Sequence, residues 1–238
     1  MDLAMRIDVR NPECILDVGC GAGNSTAILK KRWPEAEITG IDNSGSMLRK
    51  AREDHPDMRW IEKDITQDMS DLGSFDIIFS NAVLQWIPDV GSVLNGLFGM
   101  LRPDGVLAFQ VPYAEDLPTH IAMRTLFARP EWKRYYDAVE SRPRYRSMGC
   151  FYDILSSLSP ELSLWQTEYV HVMKSIDDIA DWNRASALRP FLDELPDDRS
   201  RDDFMKEYTS EIGPEYGVKK NGRVLYPFTR SFFILRKI

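Results

Sequence analysis

No apolar run in this sequence approaches the roughly 18–20 residues needed to cross a bilayer, which argues against a membrane-spanning protein. Cysteine is scarce as well: Cys14, Cys20 and Cys150 are the only three in 238 residues, and none makes a close C-x-x-C pair. That excludes a disulfide framework and a zinc site, and fits a reducing compartment. The three histidines, His55, His120 and His171, are dispersed along the chain, so a metal-independent protein is expected. An excess of positive charge is also lacking. At a net charge of −7, a broad face for gripping nucleic-acid phosphates is not expected. The N-terminal stretch MDLAMRIDVRNPEC has no apolar core of a signal peptide, which points to a cytoplasmic protein. What is present is 43% hydrophobic and 11% aromatic residues, enough to fill a sizeable core.

The first half alternates strand-like and helix-like segments. Cys14–Val18, Glu37–Ile41, Met58–Glu62, Phe75–Ser80 and Val106–Val111 read as strands. Between them, Asn24–Trp33 reads as a helix capped by Asn24 or Ser25, another follows Ser44 or Ser46, and Val90–Leu101 carries apolar residues at helical spacing. Arg102-Pro103-Asp104-Gly105 reads as the turn that closes it. Strands this apolar are buried on both faces, as helices packed on both sides of a parallel sheet require. After Pro112 the beat breaks. Short helices rich in Arg and Tyr are expected over 115–147, a helix over Cys150–Leu158, a strand over Leu162–Met173, helices over Ile176–Leu195 and 198–212, and a closing strand over Arg223–Lys237. Pro227 marks that last strand as an edge or a bulge. The expected organisation is a binding core over 1–112, a helical cap over 113–160, and a C-terminal part over 161–238 that completes the sheet.

The most informative stretch is Ile15-Leu16-Asp17-Val18-Gly19-Cys20-Gly21-Ala22-Gly23. A glycine-rich turn from strand to helix lets a ligand approach the backbone closely. The dinucleotide fingerprint would need glycine where Asn24 stands, so a nicotinamide cofactor is disfavoured. Asp17, inside the strand, suits a ligand with an ammonium group. Asp42, ending the second strand, can accept from both hydroxyls of a ribose, and Asp64, after the third, from an adenine amino group. Asn81 follows the fourth strand. These strand ends line one rim, where open α/β sheets bind ligands.

The D-V-G-C-G-A-G turn, Asp42, Asp64 and the stretch Ser80-Asn81-Ala82-Val83-Leu84-Gln85-Trp86 resemble class I S-adenosylmethionine-dependent methyltransferases. S-N-A-V-L-Q-W-I-P-D, then Gln110-Val111-Pro112 and Ser186-Ala187-Leu188-Arg189-Pro190-Phe191-Leu192, are similar to the trans-aconitate methyltransferases, over about residues 14–236. That resemblance implies a Rossmann-like, seven-stranded, mostly parallel α/β sheet with a helical cap inserted after the fifth strand. It implies S-adenosylmethionine as cofactor, with S-adenosylhomocysteine as product. Gly19, Cys20 and Gly21 would pass under the methionine part, with Asp17 near its ammonium. Asp42 would hold the ribose beside Asn43 and Met47, Asp64 and Ile65 would line the adenine pocket, and Asn81 would serve the methionine end. Trp86 would wall the space between donor and acceptor. Sixteen residues precede Asp17, fewer than the family's usual cover, and Ala185-Ser186-Ala187 stands where the trans-aconitate enzymes tend to have Thr-Gly.

Between Arg124 and Arg146, seven basic residues (Arg124, Arg129, Lys133, Arg134, Arg142, Arg144, Arg146) face three acidic ones, so this segment is +4 and the remainder −11. A basic cap suits a small polycarboxylate, gripped by arginine forks. Tyr113, His120, Arg144, His171 and Arg189 are the further substrate candidates, with Trp86. A carboxylate acceptor is ionised at neutral pH and needs no general base; a phenol, amine or carbon acid would, and His120 or His171 would then be the first suspects. The other readings are an acyl-carrier-bound acceptor and a cofactor-binding module without turnover. Monomer and homodimer are equally open.

Overall fold

Buried strands and capped helices alternate through the first half of the chain in the computed structural model, which describes residues 2–137 and 145–238. A short helix α1 (Asp2–Arg6) precedes β1 (Cys14–Val18), α2 (Asn24–Arg32), β2 (Glu37–Asp42), α3 (Gly45–Asp54), β3 (Arg59–Glu62), β4 (Phe75–Asn81), α4 (Val90–Gly99) and β5 (Leu101–Tyr113). Then come α5 (Pro118–Phe127), α6 (Pro130–Asp137), α7 (Met148–Leu155), β6 (Leu162–Met173), α8 (Ile176–Arg184), α9 (Arg189–Asp193), α10 (Asp198–Ile212) and β7 (Val224–Arg236). The strands form one seven-stranded sheet in the order β3-β2-β1-β4-β5-β7-β6. Strands β1 to β5 pair in parallel. β7 is antiparallel to β5: Asp104 N donates to Lys237 O at one end, and Arg230 meets Gln110 further along. The sheet is therefore the expected mixed, mostly parallel Rossmann-like one.

Two local expectations are corrected and one is narrowed. Neither Asn24 nor Ser25 caps α2; Gly23 stands at the N-cap without a side-chain bond, because the Ser25 hydroxyl is turned onto Asp17 instead. Residues 102–105 belong to β5 rather than to a turn. Phe75 pairs with Leu101, the register slips before Ile77, and Asp104 takes a left-handed φ of 61°, the mark of a bulge that keeps the strand going. Pro227 lies in a strand flanked by β5 and β6, not at an edge. The pairs Asp104–Lys237 and Gln110–Arg230 put Pro227 level with the end of β5. Its missing N–H falls where a ladder bond to that neighbour is no longer required.

The chain divides into two compact units: Met1–Pro112 with Arg146–Gln166 and Arg230–Ile238, and Tyr113–Tyr145 with Thr167–Thr229. Packing thus places α7 in the first unit, inside the stretch that the sequence suggested as cap. Ser147 caps α7 by accepting from Cys150 N, and the helix buries Phe151 and Leu155 completely. Phe151 lies 4.8 Å from Phe233, and Phe109 lies 4.7 Å from Phe233. Burying each such side chain contributes about 1.5–3 kcal/mol, so this cluster pins β5 and β7 together. The second unit has its own aromatic core, where Phe127, Trp132, Phe191, Phe204 and Tyr208 are all buried. Among the described residues, no helix is long and apolar enough to cross a membrane.

Candidate active site

Register aligns the tips of the parallel strands: Val18 sits beside Ile41 and Ser80, Asp42 beside Glu62, and Asn81 beside Gln110. Out of β1 the chain enters a turn in which Gly19, Gly21 and Gly23 all adopt left-handed φ, 68°, 55° and 87°. A Cβ on Gly19 would lie 2.2 Å from Val83 Cγ2, so only glycine fits. At Gly21 the reason differs, since an added Cβ would meet nothing within 4 Å. Open space above a bare backbone is the cradle a close-lying ligand needs. The turn is tied to β2 by Gly19 N and Cys20 N, which both donate to Ile41 O, at 2.8 and 2.9 Å. Behind it, the Cys20 thiol is buried and pushed up by that burial, which makes it inert packing rather than a nucleophile.

Asp17 is fully buried. Its Oδ2 accepts from Ser25 Oγ at 2.8 Å and Thr26 Oγ1 at 2.6 Å, while Oδ1 has no partner. Burial pushes its carboxyl up to about 6, against the opposing pull of the two hydroxyls. A buried acceptor left open costs about 1–3 kcal/mol, and a cationic donor such as an ammonium would satisfy both the geometry and the charge. The half-buried Asp42 carboxylate accepts from Gly21 N at 2.9 Å and from Ser44 N at 2.8 Å. Each of its oxygens keeps a second lone pair for a hydroxyl. Asn43 and Met47 are exposed beside it. Asp64 Oδ1 closes a local turn by accepting from Thr66 N and Oγ1, bonds that lower its pKa. Ile65 next to it is buried.

At the tip of β4, Asn81 is exposed. Its Oδ1 accepts from Gln110 Nε2 at 2.6 Å, and Gln110 Oε1 accepts from Arg230 Nη1 at 3.2 Å. Ala82 then takes a left-handed φ of 60°, a strained value for a residue with a Cβ, and its N–H donates to Gln110 O. The half-buried Trp86 follows on a single 3₁₀ turn. Sequence reasoning missed Ser25, Thr26, Gln110 and Arg230. The available signal was Gln110, a polar side chain in the otherwise apolar run Val106–Val111.

The second unit treats its candidates differently. His120 is buried, with Nε2 2.7 Å from Tyr145 Oη and Nδ1 3.2 Å from Thr119 Oγ1. Burial pulls its pKa down to about 4, so it is neutral and a weak base at pH 7. The half-buried Tyr113 donates to Asp116 Oδ2 at 3.1 Å. His171 packs 4.8 Å from the Trp182 ring. Arg189 opens α9 with an exposed side chain 3.8 Å from Asp193. Arg142 and Arg144 lie outside the described residues. Among the described members of the basic segment, Arg129 pairs with Glu207 and Glu211 and Lys133 with Asp137, while Arg124 holds Glu115 O. In the first unit, Arg146 holds Ile87 O and Pro88 O.

Residues 15–105 match the model of a methyltransferase domain. The full chain is 38% identical over 238 residues to trans-aconitate 2-methyltransferase of Escherichia coli strain ATCC 8739, covering 100% of this chain and 92% of that one. Among solved structures, the YcgJ protein of Bacillus subtilis superposes with a TM-score of 0.61 at 18% identity, covering 98% and 95% of the two chains. A plantazolicin methyltransferase in complex with S-adenosylhomocysteine gives a TM-score of 0.52 at 17% identity over 95% of this chain and 77% of that one. At such identities the two structures speak for the fold. With 38% identity along its whole length, the chain belongs to the trans-aconitate 2-methyltransferase family.

Proposed function

We propose that this protein moves the methyl group of S-adenosylmethionine onto a carboxylate oxygen of trans-aconitate or a closely related small polycarboxylate. The observation that carries the reading is Asp17: a buried carboxylate with one bare oxygen beside an open glycine turn, in a chain of this family. Asp17 Oδ1 receives the ammonium of the cofactor's methionine part, and Gly19, Cys20 and Gly21 run beneath it. Asp42 takes the ribose hydroxyls on its remaining lone pairs, flanked by Asn43 and Met47. Asp64 keeps Oδ2 for the adenine amino group, above Ile65. Asn81 faces the methionine end and Trp86 borders the transfer path. When bound, the cofactor would supply an electrophilic sulfonium methyl to the carboxylate oxygen, its C–S bond giving way to the new C–O bond and leaving S-adenosylhomocysteine. Because the acceptor is already an anion at pH 7, the protein's task is to hold it in line, about 3 Å from the methyl carbon, and to exclude water. No base is assigned. The depressed pKa of His120 agrees with that.

The test is production of S-adenosylhomocysteine from S-adenosylmethionine with a panel of di- and tricarboxylates. Turnover with trans-aconitate above the other acids is expected. Cofactor binding by calorimetry with no turnover on any of them would overturn the reading.

A further inference from the structure

Strands β1, β2 and β3 of the first unit carry Asp17, Gly40 and Trp60 side by side, since Asp17 pairs with Gly40 and Gly40 with Trp60. Residues paired laterally in a parallel sheet send their side chains to the same face, so the middle strand leaves a gap there. The indole of Trp60 fills it. A Cβ on Gly40 would collide with Cε3 and Cζ3 of that ring and lie 2.9 Å from Cys20 Sγ. Gly40 has no left-handed φ, so space alone demands glycine at this position. The same ring reaches the far end of the ligand turn, where a Cβ on Gly23 would lie 2.8 Å from Cη2.

The indole is held in one orientation. Its Nε1 donates to His55 O at 3.0 Å, and His55 is the residue that closes α3. From the same helix, Arg52 Nη2 donates to Trp60 O at 3.2 Å. Trp60, Cys20, Leu48 and Ala51 are buried together in one cluster, and in packing of that density a ring cannot turn aside without opening a void. What lies against it is the junction of turn and helix. Gly23 N donates to Cys20 O at 3.0 Å, and Gly23 O accepts from Ala27 N at 2.9 Å as α2 begins. Ser25 and Thr26 follow at once, and their hydroxyls hold Asp17 Oδ2. Displacing Gly23 would therefore move the turn and the two hydroxyls that orient the Asp17 carboxylate.

We infer that Trp60 is a positioning residue for the cofactor: its indole, occupying the space that Gly40 leaves, fixes Gly23 and with it the glycine turn and the start of α2. This rests on the placement of the cofactor's methionine part at Asp17 and Gly19–Gly21 given above. Gly40 belongs to the same device, because its bare backbone is what admits the ring.

The experiment uses the full chain, with S-adenosylhomocysteine affinity read by calorimetry and folding stability by urea unfolding. Trp60→Leu should weaken S-adenosylhomocysteine about 10- to 100-fold, the scale expected when a binding group is misplaced by an ångström. Trp60→Phe, which keeps a ring, should lose less. Gly40→Ala should also weaken binding by driving the indole off its seat, yet cost nothing further in a Trp60→Leu background, where the clash is gone. Leu155→Ala, a core truncation in α7, serves as the control: it should lower stability and leave S-adenosylhomocysteine affinity at the wild-type value. Wild-type affinity in Trp60→Leu would overturn the inference, and so would an equal loss in Leu155→Ala, which would make the effect one of general stability. Should Trp60→Leu fail to fold, wild-type affinity in both Trp60→Phe and Gly40→Ala would overturn it. Equal losses from Gly40→Ala in both backgrounds would show that Gly40 does not act through Trp60. Asp17→Asn binding as tightly as wild type would instead overturn the placement of the methionine part on which the inference rests.

Discussion

Asp17 in the first unit and His120 in the second are both buried, both titratable, and both shifted by burial toward their neutral forms. Their surroundings differ. Asp17 has two hydroxyls on one oxygen and nothing on the other, whereas each nitrogen of His120 has a neighbour within hydrogen-bond distance. The same physical shift therefore accompanies a socket in one place and a joint in the other. Closure of the hydrogen-bond inventory separates them, because an open buried acceptor is a standing cost that only a ligand removes.

Replacing the socket should have the largest effect. Asp17→Asn keeps the volume and leaves an oxygen for Ser25 and Thr26, but removes the charge. Affinity for S-adenosylhomocysteine should fall by about 2–5 kcal/mol, read by calorimetry, with the fold intact by circular dichroism. Unchanged affinity would make Asp17 a second joint and erase the contrast.

The two groups should also pull cofactor-free stability in opposite directions with pH. The folded pKa of Asp17, about 6, lies above its ordinary 3.8. Its contribution is thus fully present below about pH 4 and lost as pH rises through 6, on the order of 2–3 kcal/mol. For His120 the folded value, about 4, lies below 6.5. Its contribution is present above pH 6.5 and lost as pH falls through 4, on the order of 3 kcal/mol. Urea unfolding between pH 4 and 7 checks this: Asp17→Asn should leave only the acid-side loss, and His120→Gln only the loss on raising pH. His120→Gln should leave cofactor affinity untouched. A variant that shifts both slopes would couple the two groups and break the comparison.

How far the sequence revealed these features depended on the range of the forces involved. Strands β1, β2 and β6 and helix α10 were legible because burial imposes a local period on hydrophobic residues. The glycine turn and Asp42 were legible because a left-handed backbone and a strand-end carboxylate announce themselves locally. Ser25 looked like a cap, since only the fold brings its hydroxyl to Asp17, eight residues back. The bond from Arg230 to Gln110 joins residues 120 positions apart, and no local pattern carries such a pairing. For Pro227 the sequence left an edge and a bulge open; only the strand order removes the edge, because which strands flank β7 is a tertiary fact. The pairing of Arg129 was not legible, because charge counts do not reveal that Glu207 and Glu211, 78 and 82 residues on, take up its charge.

The smallest expected effect belongs to Arg189, which the sequence nominated for the acceptor and which the structure places on an exposed turn of α9. Its neighbour Asp193 lies one helical turn away at 3.8 Å, and both side chains are about 70% exposed. An exposed i,i+4 pair contributes about 0.3–0.5 kcal/mol, so Arg189→Ala should move folding stability by no more than that and leave cofactor affinity at the wild-type value. The acceptor KM then discriminates. An unchanged KM would confine Arg189 to its pair with Asp193. A raised KM would show that a side chain with an exposed, locally paired charge can still be a ligand, and that hydrogen-bond closure separates sockets from joints only where water is excluded.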